Sequence, residues 1–477
     1  MFKQKAILEF DQSTSDLFVR KSEGKLSLDT FFNSFNLYPI KKYTNGTKLT
    51  IKMAGKGECK VEIIHQKGEE KELLFESDKF VTSIEIDIEK ISEIGIIFPV
   101  FSGNFELLSL SYEVNSSERK ASAFAIFTTF NRQEYLFSNL KKLNSCENID
   151  KVIIVDNAKN VVLPHELPKD KFILVPNENL GGTGGFTRGM MEAKKHGATH
   201  VFIMDDDITL IPEVEDKAIS LISSLKEECK DNWIGFSMLS KERPTYQFEL
   251  GAKWKGVPLR KNATWLDVSK VENIMKNQVI SEYNYSGWWS LIMPVEVLDK
   301  YGYPFPFFIK FDDVEFALRR DHEEIILTNG FGVWHQDFGN KEAGWLNYYQ
   351  YRNGLVTNAL HDKKPVFHSL VGFLGKNIKC YFKGRFNELN LIDLAINDYL
   401  KGPDYFYDLD IVGRNNEIRE MAKQKVGKFK GIFLLPFKQL HYFNKVLFRF
   451  NKAKKIYKKD VGKVTNEEYW RKVFNHD

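Results

Sequence analysis

No long hydrophobic run occurs in this sequence. Its longest apolar stretches, such as Ile432–Phe437, fall far short of the roughly 18 residues that mark a membrane span, which argues against a multi-pass membrane protein. Met1–Phe10 is charged and has no apolar core ahead of a cleavage site, so a secretory leader is not expected. Cysteine is scarce. Cys59, Cys146, Cys229 and Cys380 lie far apart, and no C-x-x-C pair exists to build a zinc ribbon or a dithiol redox centre. Few cysteines and no export signal suit the reducing cytoplasm. An excess of one charge is missing too: 68 basic against 64 acidic side chains leave a net charge of +4. With no nucleic-acid-binding motif in the chain, nucleic acid is set aside as a partner. Internal repeats and low-complexity tracts are also absent.

What remains is 477 residues, 43% hydrophobic and 28% charged, the composition of a globular protein of about two to four domains. The 39 Phe, 19 Tyr and 8 Trp allow large cores and also suit sugar-binding surfaces. Residues 1–118 read as strands. Lys48–Met53, Cys59–His65, Lys71–Phe75, Ser83–Ile88 and Leu107–Val114 alternate apolar and polar side chains between turns, which predicts antiparallel strands and an N-terminal β-sandwich. Such a module either assists packing and assembly or binds carbohydrate.

At Ala121 the pattern changes, and residues 119–360 form the second predicted unit. Ala123–Thr128, Val152–Val155, Phe172–Val175 and His200–Met204 are apolar runs of buried parallel strands, with helices predicted over Arg132–Leu143 and Gly185–His196. Alternating strands and helices imply a doubly wound α/β layer, whose ligands sit at the carboxyl ends of the strands. Residues 361–477 form the third unit, helical and basic. Lys423–Lys459 holds twelve Lys or Arg and no Asp or Glu, interleaved with aromatic and aliphatic residues.

Polar residues gather at the predicted strand ends. Asp205-Asp206-Asp207 follows His200–Met204, and in extended backbone Asp205 and Asp207 point the same way. Two carboxylates so arranged suit Mg²⁺ or Mn²⁺ with open positions for substrate phosphates; the bland alternative is a solvated acidic turn. Asn179-Leu180-Gly181-Gly182-Thr183-Gly184-Gly185-Phe186 opens a helix with four glycines, where backbone approaches a ligand closely and the helix end attracts anions. It is neither a P-loop nor G-x-G-x-x-G, and alone it is a turn; beside Asp156 and Asp205 it supports a nucleotide-diphosphate pocket. Arg132 either binds a base edge or phosphate or is a surface charge, and Asp156 either accepts from a base or ribose or caps a turn. Asp312-Asp313 opens a helix after Phe307–Phe311, as a cap or as a general base. His335 ends an apolar strand assembled from Ile325–Leu327 and Phe331–Trp334, as a third metal ligand or a structural residue. Trp288-Trp289 is a wall for sugar rings or core packing.

In this order the motifs resemble family 2 glycosyltransferases with a GT-A catalytic domain, and more closely the bacterial galactofuranosyltransferases that build galactan on a lipid-linked acceptor. The resemblance spans roughly 121–360, from Thr129-Phe130-Asn131-Arg132 through the motifs above to Tyr351-Arg352-Asn353. It implies an α/β fold: a GT-A Rossmann-like catalytic domain with an N-terminal β-sandwich and a C-terminal helical domain. It implies that Asp205, Asp207 and His335 hold Mn²⁺ or Mg²⁺, and that Arg132, Asp156 and Asn179 bind the uridine nucleotide with Gly181, Gly182 and Asp206. Asp313 is then the general base, with Trp288, Trp289, Lys310 and Asp312 at the acceptor. Phe311 stands where the mycobacterial members have Trp, and Gln336-Asp337-Phe338 also departs from their pattern, which leaves acceptor and linkage open.

The implied reaction moves galactofuranose from UDP-galactofuranose to a glycan hydroxyl with inversion, in surface polysaccharide synthesis such as capsule, O-antigen or cell wall. The same fold would also serve a rhamnosyl or pyranosyl donor, and a carbohydrate-binding scaffold is the non-enzyme alternative. A scaffold does not explain carboxylates at three strand ends. The basic tail is read as a peripheral contact with the anionic inner face of the cell membrane, against a helical bundle with a solvated Lys face. Homo-oligomerisation stays open.

Overall fold

Ala123–Thr129 carries no charge because neither of its faces meets water. Ala123, Ala125 and Phe127 enter one apolar core, and Phe124 and Ile126 enter a second on the opposite side. Successive strand side chains point to opposite faces, so a strand held between two cores must be apolar throughout. His200–Asp205 does the same, with Phe202 and Met204 on one side and Val201 and Ile203 on the other. This computed structural model describes residues 1–254, 260–261, 263–280, 282–337, 344–361, 378–424 and 435–475.

The two strands lie at the centre of a seven-stranded sheet. Its order is Phe172–Pro176, Ile149–Asp156, Ala123–Thr129, His200–Asp205, Ser290–Pro294, Trp233–Gly235 and Ile325–Ile326. The first four are parallel, and Ser290–Pro294 is antiparallel to both of its neighbours. Helices Gln133–Asn144 and Pro212–Ser224 cover one face and Gly181–Lys195 the other. The sheet grows outward from Ala123–Thr129 to Phe172–Pro176, then restarts on the other side with His200–Asp205. That reversal is a topological switch point, where α/β sheets open a crevice beyond their strand ends. Thr129 and Asp205 both end there. This is the α/β layer the sequence implied, consistent with a GT-A catalytic domain.

Two details differ from the sequence reading. Gly181–Lys195 is helical from its first glycine, so the glycines lie inside the first turns rather than ahead of them. The apolar run 325–334 is two strands, not one. Ile325–Ile326 closes the seven-stranded sheet, and Gly332–His335 edges a four-stranded sheet after Leu266–Asp267, Tyr246–Glu249 and Ser237–Ser240. Gly330, at φ 78°, turns the chain between them.

The N-terminal region is an eight-stranded antiparallel sheet. Two strands of 20 and 19 residues, Lys48–Lys67 and Ile96–Val114, pair along their length, and each remaining strand pairs with one of them except Arg20–Ser22, which pairs with Lys25–Ser27. The short strands expected at 48–53 and 59–65 are thus one, interrupted only by a register shift between Ala54 and Gly55. Gly57, at φ 100°, supplies backbone there that side-chain-bearing residues rarely adopt. The sheet's core is continuous with one face of the α/β layer. Phe32 packs on Trp334 with ring centroids 5.6 Å apart, so the N-terminal region buttresses the strand that ends in His335.

Helix Ile411–Lys423 packs on its helical neighbours, and Leu346–His361, Phe386–Leu400 and Leu435–Asp460 build the C-terminal region against the other face. The last of these buries Val446, Phe450, Ala453 and Tyr457 at helical spacing, and Tyr457 stacks on Tyr399 at 5.3 Å. Trp470 donates to the Pro304 carbonyl, tying the end of the chain to the segment that leads to Asp312. Among the described residues no helix is long and apolar enough to cross a membrane.

Candidate metal and active site

Asp205 is the last residue of its strand, His335 the last of another, and the two ends are pinned together. Thr209 and Trp334 exchange backbone hydrogen bonds of 2.8 and 3.1 Å, fastening the segment after Asp207 to the strand ending in His335. His335 Nε2 therefore stands 3.1 Å from Asp207 Oδ1 and 3.6 Å from Asp205 Oδ2. Ligand atoms of one six-coordinate cation, each about 2.1 Å from it, sit about 3–4 Å from one another. Both His335 contacts meet that spacing, and one ligand atom from each of Asp205, Asp207 and His335 lies within 4.8 Å of the others. The imidazole is oriented as well. Its Nδ1 donates to the Gln336 carbonyl at 2.7 Å, which turns Nε2 toward the two carboxylates, donating to Asp207 as the imidazolium or offering its lone pair to a cation as the neutral ring. The residues present fit a divalent cation.

Electrostatics divide the two aspartates. Burial pushes Asp205 up, and the charges of Asp207 and Asp206 add to this against the opposing pull of His335. Burial also opposes ionisation of Asp207. The hydrogen bond from His335 and the charges of His335, Arg132 and Lys241 outweigh it and hold Asp207 at about 2. His335 is raised: burial disfavours its charge, but the Asp207 hydrogen bond and both carboxylates prevail.

Asp206 turns the other way. It accepts from Thr129 Oγ1 at 2.8 Å and from Arg132 Nη1 at 3.2 Å, and the same nitrogen lies 2.7 Å from Asp207 Oδ2. Arg132 thus bridges Asp206 and Asp207 through one nitrogen while its side chain remains 46% exposed. Lys241 Nζ donates to the Asp207 carbonyl at 2.6 Å. Asp156 is buried, and its two oxygens accept the Ala158 and Val161 backbone N–H groups at 2.9 and 2.7 Å. Asn179 Oδ1 accepts from Gly181 N at 3.3 Å. Asn157 joins these loops, donating to Thr128 Oγ1 and to the Gly181 carbonyl, both at 3.1 Å.

Asp312 and Asp313 open a short helix, Asp312–Ala317, without side-chain capping from the residue before it. Asp312 Oδ2 accepts from Thr183 Oγ1 at 2.8 Å, and its charge contributes to raising Asp205, so the two motifs share one field. Asp313 Oδ1 accepts the Val314 N–H at 2.8 Å. Burial, then the adjacent Asp312 charge, push the Asp313 carboxyl up to about 8, with buried Glu249 adding to the rise. The segment before this helix is strained. Phe308, Lys310 and Phe311 have φ of 74°, 69° and 70°, each costing about 1–3 kcal/mol in a non-glycine residue. Gly181 faces this segment at φ 71°, and a Cβ there would lie 2.0 Å from the Phe308 carbonyl oxygen. Its missing side chain is what lets the glycine-rich helix and the Asp312–Asp313 segment touch.

Trp288 and Trp289 are only 5% and 6% exposed. The Trp289 indole donates to the Phe236 carbonyl at 2.9 Å, and Trp288 packs edge-on against Phe186. Both act as core at this end of the sheet, although the buried Trp288 N–H meets no acceptor. Sequence reasoning gave no role to Thr129, Thr183, Lys241, Glu249, Arg352 or Asn353. Thr129, Thr183, Arg352 and Asn353 stood inside the motifs quoted above, whereas Lys241 and Glu249 lay outside them.

No family model matches the chain. It is 23% identical over 431 aligned positions to the galactofuranosyltransferase GlfT2 of Mycobacterium tuberculosis, covering 81% of this chain and 67% of that protein. To the galactofuranosyltransferase GlfT2 of Mycolicibacterium smegmatis it is 24% identical over 447 positions, covering 84% and 68%. Among solved structures, S. aureus TarS 1-349 aligns at a TM-score of 0.39 and 13% identity, over 70% of this chain and 92% of that one. The mannosyltransferase PcManGT from Pyrobaculum calidifontis, in complex with GDP-Man and Mn²⁺, aligns at 0.34 and 13%, over 72% and 88%. The chain is a GT-A-like protein related distantly to bacterial sugar-transferring enzymes, with an Asp–Asp–His cluster suited to a divalent metal ion.

Proposed function

We propose that this chain is an inverting, metal-dependent glycosyltransferase that moves galactofuranose from UDP-galactofuranose to a hydroxyl of a lipid-linked glycan acceptor in bacterial surface polysaccharide synthesis. The observation that carries it is the convergence of Asp205, Asp207 and His335 at the switch point, in a field shared with Asp312-Asp313. The distant alignment with galactofuranosyltransferases over most of the chain supports the donor. The working units are 1–118, 119–360 and 361–477, with the chemistry in the second.

Asp205, Asp207 and His335 hold Mn²⁺ or Mg²⁺, which when bound neutralises charge on the departing diphosphate. Arg132 keeps Asp206 and Asp207 in register and offers its remaining N–H groups to the nucleotide. Asp156, Asn179, Gly181 and Gly182 shape the loops of that pocket by the hydrogen bonds given above. Asp313 takes the acceptor hydroxyl proton as that oxygen attacks the anomeric carbon. The new glycosidic bond forms as the sugar–phosphate bond breaks on the opposite face, so the configuration inverts and the proton rests on Asp313. Lys310 and Asp312 flank the acceptor side, with Trp288 and Trp289 beneath it. A panel of UDP-sugars with Mn²⁺ and a galactoside acceptor, read by UDP release, tests the donor. Turnover with UDP-galactofuranose and none with UDP-galactopyranose is expected. Turnover with a pyranosyl or rhamnosyl donor alone would replace galactofuranose while keeping the transfer.

The basic tail fits a peripheral membrane role. On Leu435–Asp460 the packed face is apolar, and the outer surface exposes Arg449, Lys452, Lys455, Lys458 and Lys459. Phe437 and Phe448 are also outward, at 75% and 82% exposure. Cations near an anionic surface contribute about 1 kcal/mol each, and exposed aromatics add apolar insertion. Co-sedimentation with anionic vesicles at low salt is expected, with little on neutral vesicles and clear weakening when Phe437 and Phe448 are both changed to Ser. Absence of binding to anionic vesicles would remove the membrane reading without touching the transfer.

A further inference from the structure

Leu346–His361 sends two adjacent buried polar side chains, Arg352 and Asn353, into the strained segment before Asp312. Asn353 Nδ2 donates to the carbonyls of Lys310 and Ile309 at 2.8 and 2.9 Å and reaches that of Phe307 at 3.4 Å. Arg352 Nη2 donates to the Phe307 carbonyl at 2.8 Å, and its Nε donates to Asn353 Oδ1 at 2.9 Å, fixing which way the amide faces. Left-handed conformations at Phe308, Lys310 and Phe311 persist only where the surroundings over-determine them. Here one amide and one guanidinium take up the carbonyls that those turns point inward.

The guanidinium is itself anchored. Arg352 is 2% exposed, and it lies against the rings of Tyr348, Tyr349 and Phe406 at 5.1, 5.2 and 4.9 Å. Its Nη1 donates to Tyr348 Oη at 3.2 Å, and that hydroxyl donates on to the fully buried Asp398 at 2.6 Å. Asp398 also holds Lys401 and Arg414. Through Tyr348 and Asp398 the C-terminal helices thus anchor the guanidinium that grips the segment carrying Lys310, Asp312 and Asp313.

We propose that Arg352 and Asn353 are positioning residues: they clamp 307–311 so that Asp313 meets the acceptor hydroxyl opposite the Asp205–Asp207–His335 cluster. This rests on the transfer reading above. The discriminating variant is Asn353→Asp, which keeps shape and the bond from Arg352 but replaces the donor to the carbonyls. A misplacement of about 1 Å costs on the order of 100-fold in rate, so kcat is expected to fall about 100-fold with the donor KM within about twofold. Amide exchange over 305–316 should rise at least about tenfold while His200–Asp205 stays protected. Added to Asp313→Asn, Asn353→Asp should cost nothing further, because a clamp acting through Asp313 has nothing left to position. Arg352→Lys, which keeps the buried cation and loses the fork, should show the same pattern at about tenfold.

A fall in kcat that is additive with Asp313→Asn, or matched by lost nucleotide binding, would make the pair merely structural and overturn the proposal. So would unchanged exchange over 305–316. If the wild-type chain transfers no sugar from any nucleotide, the transfer reading fails and exchange alone decides the clamp. Raised exchange confined to 305–316 then supports it, and unchanged exchange overturns it.

Discussion

Asp313→Ala is expected to lower turnover about 10³-fold, within the range that a positioned general base supplies, and to leave UDP binding nearly intact. The two effects separate because Asp313 is not among the residues proposed at the nucleotide. Its bonds run to the Val314 N–H, and its field comes from Asp312 and Glu249. The pH dependence gives the same residue a second signature. Burial and the Asp312 charge hold the carboxyl near 8, so below that value it is mostly protonated and unable to accept a proton. Wild-type turnover should therefore rise with pH by nearly tenfold per unit up to about 8 and level off above it, and the rise should vanish in Asp313→Ala. Initial rates from pH 6 to 9 at saturating donor, beside UDP titrations of both proteins, decide the matter. Loss of UDP binding in the variant would assign Asp313 to the nucleotide pocket. A wild-type rate that fell as pH rose through 8 would assign it to acid rather than base chemistry.

Much of this arrangement was legible in the residues themselves. Apolar runs ending in Asp156 and Asp205 announce strands buried on both faces with polar carboxyl ends, because only such strands lose the alternation of apolar and polar side chains. Asp205, Asp207 and His335 could be named before any geometry, since the motif sits at a strand end and its ordered companions follow. Less legible were features set by distant pairing. The long strand Lys48–Lys67 looks broken at Gly55 and Gly57, because local composition there resembles a turn and only pairing with Ile96–Val114 carries the strand across. The run 325–334 looks like one strand because periodicity does not register that Gly330 sends its halves into different sheets. Trp288-Trp289 reads equally as core or sugar wall until burial is known. Arg352 and Asn353 sit inside a helix pattern, and nothing local says that their partners are main-chain carbonyls more than forty residues earlier.

The metal ligands should not be equivalent. His335 contributes one nitrogen, and its loss leaves Asp205, Asp207 and the Arg132 bridge in place. Removing a group that merely orients a ligand costs metal affinity 10–100-fold, so removing the ligand should reach the upper end, about 100-fold. His335→Ala is thus expected to raise the Mn²⁺ concentration for half-maximal turnover about 100-fold, with activity recovered at high Mn²⁺. Asp207→Asn strikes harder. One Asp207 oxygen faces His335 and the other faces Arg132, so the change takes a ligand charge and the Arg132 contact together. Arg132 then holds only the longer contact to Asp206 at 3.2 Å. Losing several kcal/mol of charge stabilisation corresponds to at least about 10³-fold in rate, and added Mn²⁺ should not restore it. Calorimetric titration of Mn²⁺ in the presence of UDP reads affinity without turnover and separates the two cases. An unchanged Mn²⁺ titration in His335→Ala would make that histidine structural, held by the Gln336 carbonyl and its strand. Recovery of Asp207→Asn at high Mn²⁺ would mean that Asp205 and His335 suffice, and that Arg132 does not depend on Asp207 to reach the nucleotide.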